Sequence, residues 1–351
     1  MKRTIVFGLV GCGEIAVQTA KAISQSPNCE IGMVQDINEV MARDLAEKYS
    51  VPYCLTWPEL LGNKHVDAVY VALPHHLHAP AAIEAAAAGK HVLVEKPIAT
   101  TLADADRMIA AAETAGVSLS VAFTARYAQR TLKIKQVIDD GAIGSIVGLD
   151  FGSYGYKPPT YWSGGWTGRV ETSWRTRKTE SGGGVFLMNL VHTVDFIRFV
   201  TGLEVAAVAA TYDTFKTNVE VEDYVVAILR YSNGAIGQAR AATFVEGTVP
   251  GGAIEGDRII GLSGQIFIAR ESIEMFLSKP YRDYEANKWH TISAESPWGG
   301  RQEFMTDFAK ALLCGKTPPV TALDGRKALE VCLAVYKSGA AGQYVTLPLA
   351  Q

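Results

Sequence analysis

Side chains able to move protons or hold charge are grouped at three places in this 351-residue chain: Glu95-Lys96-Pro97, the run Leu73-Pro74-His75-His76-Leu77-His78, and the triplet Asn189, His192 and Asp195. A lysine at a strand end, followed by a proline that ends regular pairing, aims an ammonium into the space beyond the sheet. There it can orient a hydroxyl, support loss of its proton or hold an anion; the alternative is a surface lysine over a helix terminus. The compact H-H-x-H run has no acidic or cysteine ligand nearby, which points away from a metal and toward histidines that line a ligand or cap a helix. Asn189, His192 and Asp195 recur every three residues in an apolar helical pattern, VFLMNLVHTVDFIRFVTG, which places them near one helix face. A neutral histidine presented there can take or return a proton near neutral pH, whereas a lone histidine on an apolar helix is otherwise a satisfied core residue.

These groups need elements to position them, and the first third of the chain supplies an alternation of strand and helix. The opening KRTIVFGLVGCGEIA has a cationic start like a secretion signal, but Gly8 and the Gly11/Gly13 pair interrupt its apolar run. It reads better as a buried parallel strand over Thr4-Val10, preceded by solvated Lys2 and Arg3 and followed by the turn Gly11-Cys12-Gly13-Glu14-Ile15-Ala16. Gly11 permits a tight turn, Gly13 lets the backbone approach a diphosphate, and the helix start at Glu14 and Ile15 points free N–H groups at the anion. Asp36, 20 residues beyond Ala16 at the end of the second strand, suits the ribose hydroxyls of NAD and would repel the 2'-phosphate of NADP; its other reading is the N-cap of the helix Asn38-Tyr49. Helices over Val40-Tyr49, Trp57-Leu61, Ala79-Ala88 and Leu102-Ala115 alternate with strands over Cys29-Val34, Asp67-Leu73, His91-Glu95 and Ser118-Ala122. That pattern predicts a doubly wound parallel sheet with its ligand site beyond the C-terminal strand ends.

From Ile143 the alternation stops. Strand-like stretches Ser145-Tyr154, Glu204-Tyr212, Tyr224-Tyr231, Ala235-Phe244 and Arg258-Leu262, joined by turns such as Ser232-Asn233-Gly234, predict an antiparallel sheet. A helix over Thr131-Asp139 leads into it, and amphipathic helices over Arg301-Leu313 and Asp324-Tyr336 pack back on the body. The Gly155-Gly168 loop carries Tyr156, Tyr161, Trp162 and Trp166, faces suited equally to sugar rings, loop packing or a subunit contact. Pro250-Gly251-Gly252 lacks the strand-to-helix context of a phosphate loop. The expected division is 1–124, binding the dinucleotide, and 125–351, binding substrate.

Hydrophobic residues make up 48 % of the chain, enough for two cores, and the net charge of -3 is interspersed. No basic stripe announces nucleic acid or a membrane surface, and the apolar runs fall short of the roughly 18–20 residues of a bilayer span. Five scattered cysteines, Cys12, Cys29, Cys54, Cys314 and Cys332, fit a reducing, cytoplasmic compartment.

The run DAVYVALPHHLHAPAAIEAAAAGKHVLVEKPIATTLADADRMIAAAETAGV, residues 67–117, resembles the central stretch of the glucose-fructose oxidoreductase/inositol dehydrogenase (Gfo/Idh/MocA) family, including its A-G-K-H-V-x-x-E-K-P. Ser173-Trp174-Arg175, the glycine run 182–184 and the His192 helix agree with it. The resemblance implies an N-terminal Rossmann domain, an α+β domain with an open-faced, mostly antiparallel sheet, and NAD(P)-dependent oxidation or reduction at a carbon of a sugar, cyclitol or sugar derivative. It assigns Lys96 and His192 to catalysis. Gly11, Gly13, Glu14, Ile15, Asp36, Leu73, Pro74, His75, His78, Glu95, Lys96 and Arg126 fall to the cofactor, and Lys96, Trp174, Arg175, Asn189 and His192 to the substrate, with no metal. It also implies a homodimer or homotetramer that covers the open sheet. Two positions depart from the family pattern: Met188 stands where many members have aspartate, with Asn189 beside it, and His75 stands where many have asparagine. The competing readings are a redox-silent NAD-binding regulator, which has no need of the Lys96/His192 pair, and an NAD-dependent glycosidase of the same family.

Overall fold

The computed structural model describes residues 4–247, 256–269, 272–293 and 299–350. Lys2, Arg3 and the Pro250-Gly251-Gly252 connection lie outside the described residues. By packing, the chain divides into two compact units that each take up several segments: residues 1–123, 158–182 and 301–329 form the first, and 124–157, 183–300 and 330–351 the second.

In the first unit the glycine turn links β1 (Ile5–Val10) to α1 (Glu14–Gln25), and the alternation runs on through β2 (Cys29–Gln35), α2 (Glu39–Tyr49), β3 (Tyr53–Cys54), α3 (Trp57–Gly62), β4 (Ala68–Val71), α4 (His78–Ala87), β5 (His91–Val94), α5 (Leu102–Ala115) and β6 (Leu119–Val121). The strands pair in parallel in the order β3-β2-β1-β4-β5-β6. Chain order reverses between β1 and β4, so the crevice that such a sheet offers a ligand opens beyond Val10 and Val71. β4 is buried along its whole length, as a central parallel strand covered on both faces must be. Asn38, rather than Asp36, caps α2: its side chain accepts from the N–H groups of Val40 and Met41.

The second unit begins with α6 (Gln129–Asp139) and β7 (Ile146–Tyr154). Two short helices then belong to the first unit, α7 (Pro159–Gly164) and α8 (Lys178–Ser181), before α9 (Val191–Thr201) returns to the second. β8 (Val205–Asp213), β9 (Tyr224–Tyr231), β10 (Ile236–Ala242), β11 (Asp257–Gly261), β12 (Gly264–Ile268), β13 (Ser272–Leu277) and β14 (Lys288–Ser293) follow. α10 (Arg301–Leu313) and α11 (Ala322–Ala341) precede β15 (Val345–Thr346). The nine strands lie in the order β14-β13-β12-β11-β7-β10-β9-β8-β15, antiparallel except for the parallel pair β7 and β10. The α/β architecture with a second, mostly antiparallel sheet is as expected. The sheet is wider than the five stretches read from the sequence, by β12, β13, β14 and β15.

The stretch Lys178–Thr201 is the one helical segment among the described residues long and apolar enough to cross a bilayer, and most of its 18-residue apolar part is buried inside the protein. α10 seats Phe308 against Phe7 of β1, ring centroids 6.0 Å apart, so it completes the core under the first strand.

Candidate active site

Gly11 adopts φ +83°, and a Cβ there would stand 2.6 Å from the Ala72 carbonyl oxygen, so only glycine lets β1 turn so close to the end of β4. Gly13 is the N-cap of α1 and brings no side chain to the helix start, leaving the first N–H groups of Glu14, Ile15 and Ala16 for an anion. Asp36 closes β2; its Oδ2 accepts from Cys12 N–H at 2.7 Å and its Oδ1 from Asn38 N–H at 2.8 Å, which fixes the carboxylate at the edge of the same turn. Ile37 beside it is 90 % exposed, an apolar surface that the sequence reading passed over. These features fit a dinucleotide: a cradle no Cβ could share, an open helix start and a carboxylate at the ribose position.

At the ends of β4 and β5 the histidines hold backbone. His78 is fully buried between the turn after β4 and the turn after Lys96, with Nδ1 2.8 Å from the Pro97 carbonyl and Nε2 2.9 Å from the Leu73 carbonyl, and the neutral ring donates to one of the two. His75 Nδ1 lies 2.8 Å from the Ser181 carbonyl oxygen, which can only accept; the ring therefore carries its proton there. Burial first, then the nearby charges of His78, Lys96 and Arg175, push the His75 pKa well below the ordinary 6.5, against the pull of the Ser181 bond. The Trp174 ring centroid is 4.4 Å from that of His75, and the Arg175 guanidinium lies over Trp174 at 4.5 Å and over Tyr161 at 5.1 Å. Tyr161 and Trp162 are buried and pack edge to face, while Trp166 is exposed. This half of the loop aromatics is loop packing.

Lys96 follows β5 and precedes a cis peptide to Pro97. Burial lowers its pKa, as do the Arg175 and Arg301 charges, while Glu95 opposes them. Glu95 is itself buried: Oε1 accepts from the Tyr70 hydroxyl at 2.6 Å and faces Arg301 Nη1 at 3.4 Å, and Oε2 accepts from Lys96 N–H at 3.2 Å. The part that Tyr70, Arg301 and Thr19, which donates to the Tyr70 hydroxyl at 3.0 Å, take in the site is not marked in the sequence. Nothing local marks them, because their partners lie far along the chain.

In the second unit His192 sits on α9 directly after a π turn over Phe186–Leu190 that carries Met188 and Asn189. The sequence pattern predicted an uninterrupted helix with Asn189, His192 and Asp195 on one face; the wider turn breaks that phase, and the outer two residues go to different partners. Asn189 Oδ1 accepts from the buried Lys157 ammonium at 2.5 Å. Asp195 is buried in a bidentate pair with Arg126, Nε to Oδ2 at 2.9 Å and Nη2 to Oδ1 at 2.5 Å, so the Arg126 guanidinium is committed to holding α9.

The start of the π turn is held from far along the chain. The Glu222 carboxylate accepts from Gly184 N–H at 2.7 Å and Phe186 N–H at 2.9 Å, and the Tyr336 hydroxyl donates to Glu222 at 2.8 Å while accepting from Leu187 N–H at 3.1 Å. Three helix-start donors are thereby served by buried side chains. Such an approach explains the glycine run: a Cβ on Gly183 would meet the Tyr336 hydroxyl at 2.2 Å, and one on Gly184 the Glu222 carbonyl at 2.0 Å. Burial raises the Glu222 pKa above its ordinary value, against these hydrogen bonds.

Two family models match the chain. One, described as oxidoreductase family, NAD-binding Rossmann fold, matches residues 5–123, and one described as GFO/IDH/MocA C-terminal domain matches residues 131–259. Among curated relatives, 1,5-anhydro-D-fructose reductase of Ensifer adhaerens is 29 % identical over 339 residues, covering 96 % of this chain and 97 % of its own length. Myo-inositol 2-dehydrogenase of Thermotoga maritima is 27 % identical over 341 residues, 95 % of each chain. The solved structure of the WlbA dehydrogenase of Bordetella pertussis, in complex with NADH and UDP-GlcNAcA, matches with a TM-score of 0.83 and 27 % identity over 99 % of this chain and 100 % of that one.

Gly184→Ala is expected to destabilise the fold by about 3 kcal/mol or more, because the obstructing atom is backbone and cannot rotate away; denaturant unfolding measures it. His75 gives a pH signature. Its folded pKa is depressed, so below pH 6.5 the unfolded ring takes up a proton the folded ring refuses, and stability present above 6.5 is lost as pH falls. His75→Asn, which keeps an N–H donor for Ser181, should make the fall in melting temperature between about pH 7.5 and 5 shallower; an unchanged slope would contradict the assignment.

Proposed function

Since this chain belongs to the Gfo/Idh/MocA family of oxidoreductases, we propose that it is an NAD-dependent dehydrogenase acting at a hydroxyl-bearing carbon of a sugar, cyclitol or sugar derivative. The observation that carries the reading is the β1–α1 turn, whose glycine contact, open helix start and Asp36 carboxylate fit a dinucleotide diphosphate and its ribose. The substrate class draws support from the relatives named for an anhydrosugar and a cyclitol.

NAD supplies a hydride acceptor at its nicotinamide carbon when bound. The N–H groups at the start of α1 hold the diphosphate, Asp36 accepts from the ribose hydroxyls, and Ile37 offers an apolar surface to the adenine. The Lys96 ammonium donates to the reacting oxygen and stabilises the charge that develops as its proton leaves. His192 takes that proton in oxidation and returns it in reduction. Trp174, Arg175 and Asn189 bind and orient the substrate. Glu95 and His78 position Lys96, while Arg126, through Asp195, positions the helix of His192. Neither Met188 nor Asn189 brings the carboxylate many family members have here; a lysine-held amide takes its place, so this point offers the substrate a neutral amide rather than a charge.

The functional division we favour sets residues 1–124 to the dinucleotide and 125–351 to substrate and assembly. One face of the second sheet, in register across its strands, carries Ile228, Ile236 and Trp289, each more than half exposed, with Phe267 and Phe276 between. A second copy of that face would cover it, giving a homodimer or homotetramer. The five cysteines are free and four are buried, consistent with a reducing cytoplasm.

Incubation with NAD and a panel of sugars and cyclitols should produce NADH. His192→Ala and Lys96→Met should each lower turnover by about a hundred- to ten-thousand-fold while NADH binding to His192→Ala is retained. Tight NADH binding with no hydride transfer, and no effect of His192→Ala, would sink the proposal. Ile228→Asp should shift the light-scattering mass toward a single chain; an unchanged mass would place the subunit contact elsewhere.

A further inference from the structure

The segment between α7 and α8 is fastened to the first sheet at two points, and the two points are the strand ends on either side of the switch in chain order. At the end of β1, the Glu14 carboxylate accepts from Trp166 N–H at 2.9 Å, from Thr167 N–H, and from the Thr167 hydroxyl at 2.5 Å. Arg169 Nε donates to the Cys12 carbonyl at 3.2 Å, and its Nη2 bonds Asp44 on α2 at 2.5 Å. Gly165 makes the approach feasible: it adopts φ +79°, and a Cβ there would stand 2.5 Å from the Glu14 carboxylate. Val170 comes within van der Waals reach of a Cβ built on Gly13. At the end of β4, the same segment lays Trp174 on His75, and α8, which follows it, gives its Ser181 carbonyl to the His75 ring.

A dinucleotide in a doubly wound sheet lies across the crevice between those two strand ends. A segment tied at both ends of that crevice spans it. We propose that residues 164–175 are a strap over the bound NAD and that Glu14, Thr167 and Arg169 are its clasp, so that these three residues set how long the cofactor stays bound. The inference rests on the reading of this crevice as the NAD site. It gives Glu14 a role distinct from the helix-start N–H group expected of it: the backbone serves the diphosphate, and the side chain closes the strap. Glu14 is kept charged for this purpose; burial works against the charge, but the hydrogen bonds from Thr167 and Trp166 and the charge of Arg175 outweigh it and hold the carboxyl below its ordinary pKa. The clasp is a set of charge-assisted bonds at a partly exposed site, strong enough to keep the strap shut and weak enough to release it. Cofactor exchange then requires local opening of the strap rather than motion of the sheet, and release becomes a gated step.

The test is stopped-flow displacement of NADH from the full chain, followed by nicotinamide fluorescence, in wild type, Thr167→Val, Arg169→Met and Arg169→Lys. Thr167 is exposed and Arg169 lies on a loop, so neither change threatens the fold. We expect Thr167→Val and Arg169→Met to release NADH about tenfold faster and bind it more weakly, and Arg169→Lys to restore part of the loss. Hydrogen exchange over residues 164–175 should slow on NADH binding in wild type and less so in Arg169→Met. Release rates unchanged in both variants, or tighter binding on loosening the clasp, would overturn the strap. A wild type that binds no NADH at all would overturn the cofactor reading and the strap together, and so is told apart from failure of the strap alone.

Discussion

The buried carboxylate of Glu95 is the point on which the first unit turns. It receives the Tyr70 hydroxyl from β4, faces the Arg301 guanidinium at the start of α10, and accepts the backbone N–H of Lys96; Thr19 of α1 joins through the Tyr70 hydroxyl and Arg301. Two strands and two helices therefore meet at one anion. Burying it costs several kcal/mol of hydration, which its partners must return. The balance leaves little net stability and a strong geometric demand, since removal of one partner from a buried ion pair costs about 3–5 kcal/mol. Such an arrangement specifies position: the peptide that carries Lys96 is held by the carboxylate of its own neighbour.

The second unit repeats the device with different residues. Glu222 meets the donors at the start of the His192 helix, and the Arg126–Asp195 pair grips the same helix one turn beyond His192. In both units a residue proposed for proton chemistry is oriented by a buried carboxylate that does not itself face solvent. The glycines at 183 and 184 are the steric counterpart, since the carboxylate and the tyrosine reach the helix start only where no Cβ intervenes.

What could be read from the sequence was what is local. The β1 turn, Asp36 and Lys96 announce themselves within a few residues by periodicity and spacing, and most strand and helix limits fell within two residues of their places. Arg301 and Glu95 are 206 positions apart, and Tyr336 and Glu222 114; no local pattern couples such pairs. The π turn was illegible too, because the spacing of its own segment is that of an α-helix and the side chains that hold its start, Glu222 and Tyr336, lie far along the chain. β13 is a different case. Ser272–Met275 alternates polar and apolar residues in the manner of a half-buried strand, and Ile273, Met275 and Leu277 do face the core, so its signal was present but only four residues long.

The return of α10 to the first sheet bears on how the chain is made. Phe7 packs on Phe308, which leaves the ribosome about 300 residues later, and the Glu95 carboxylate waits 206 residues for Arg301. In the second sheet Gly148 of β7 likewise waits for Ile236 of β10. The first unit takes its last segment, residues 301–329, from beyond most of the second, so it cannot finish its core before most of the second has been made. A nascent first unit therefore lacks α10, the helix that seats Phe308 against Phe7 of β1, until the rest of the chain has followed.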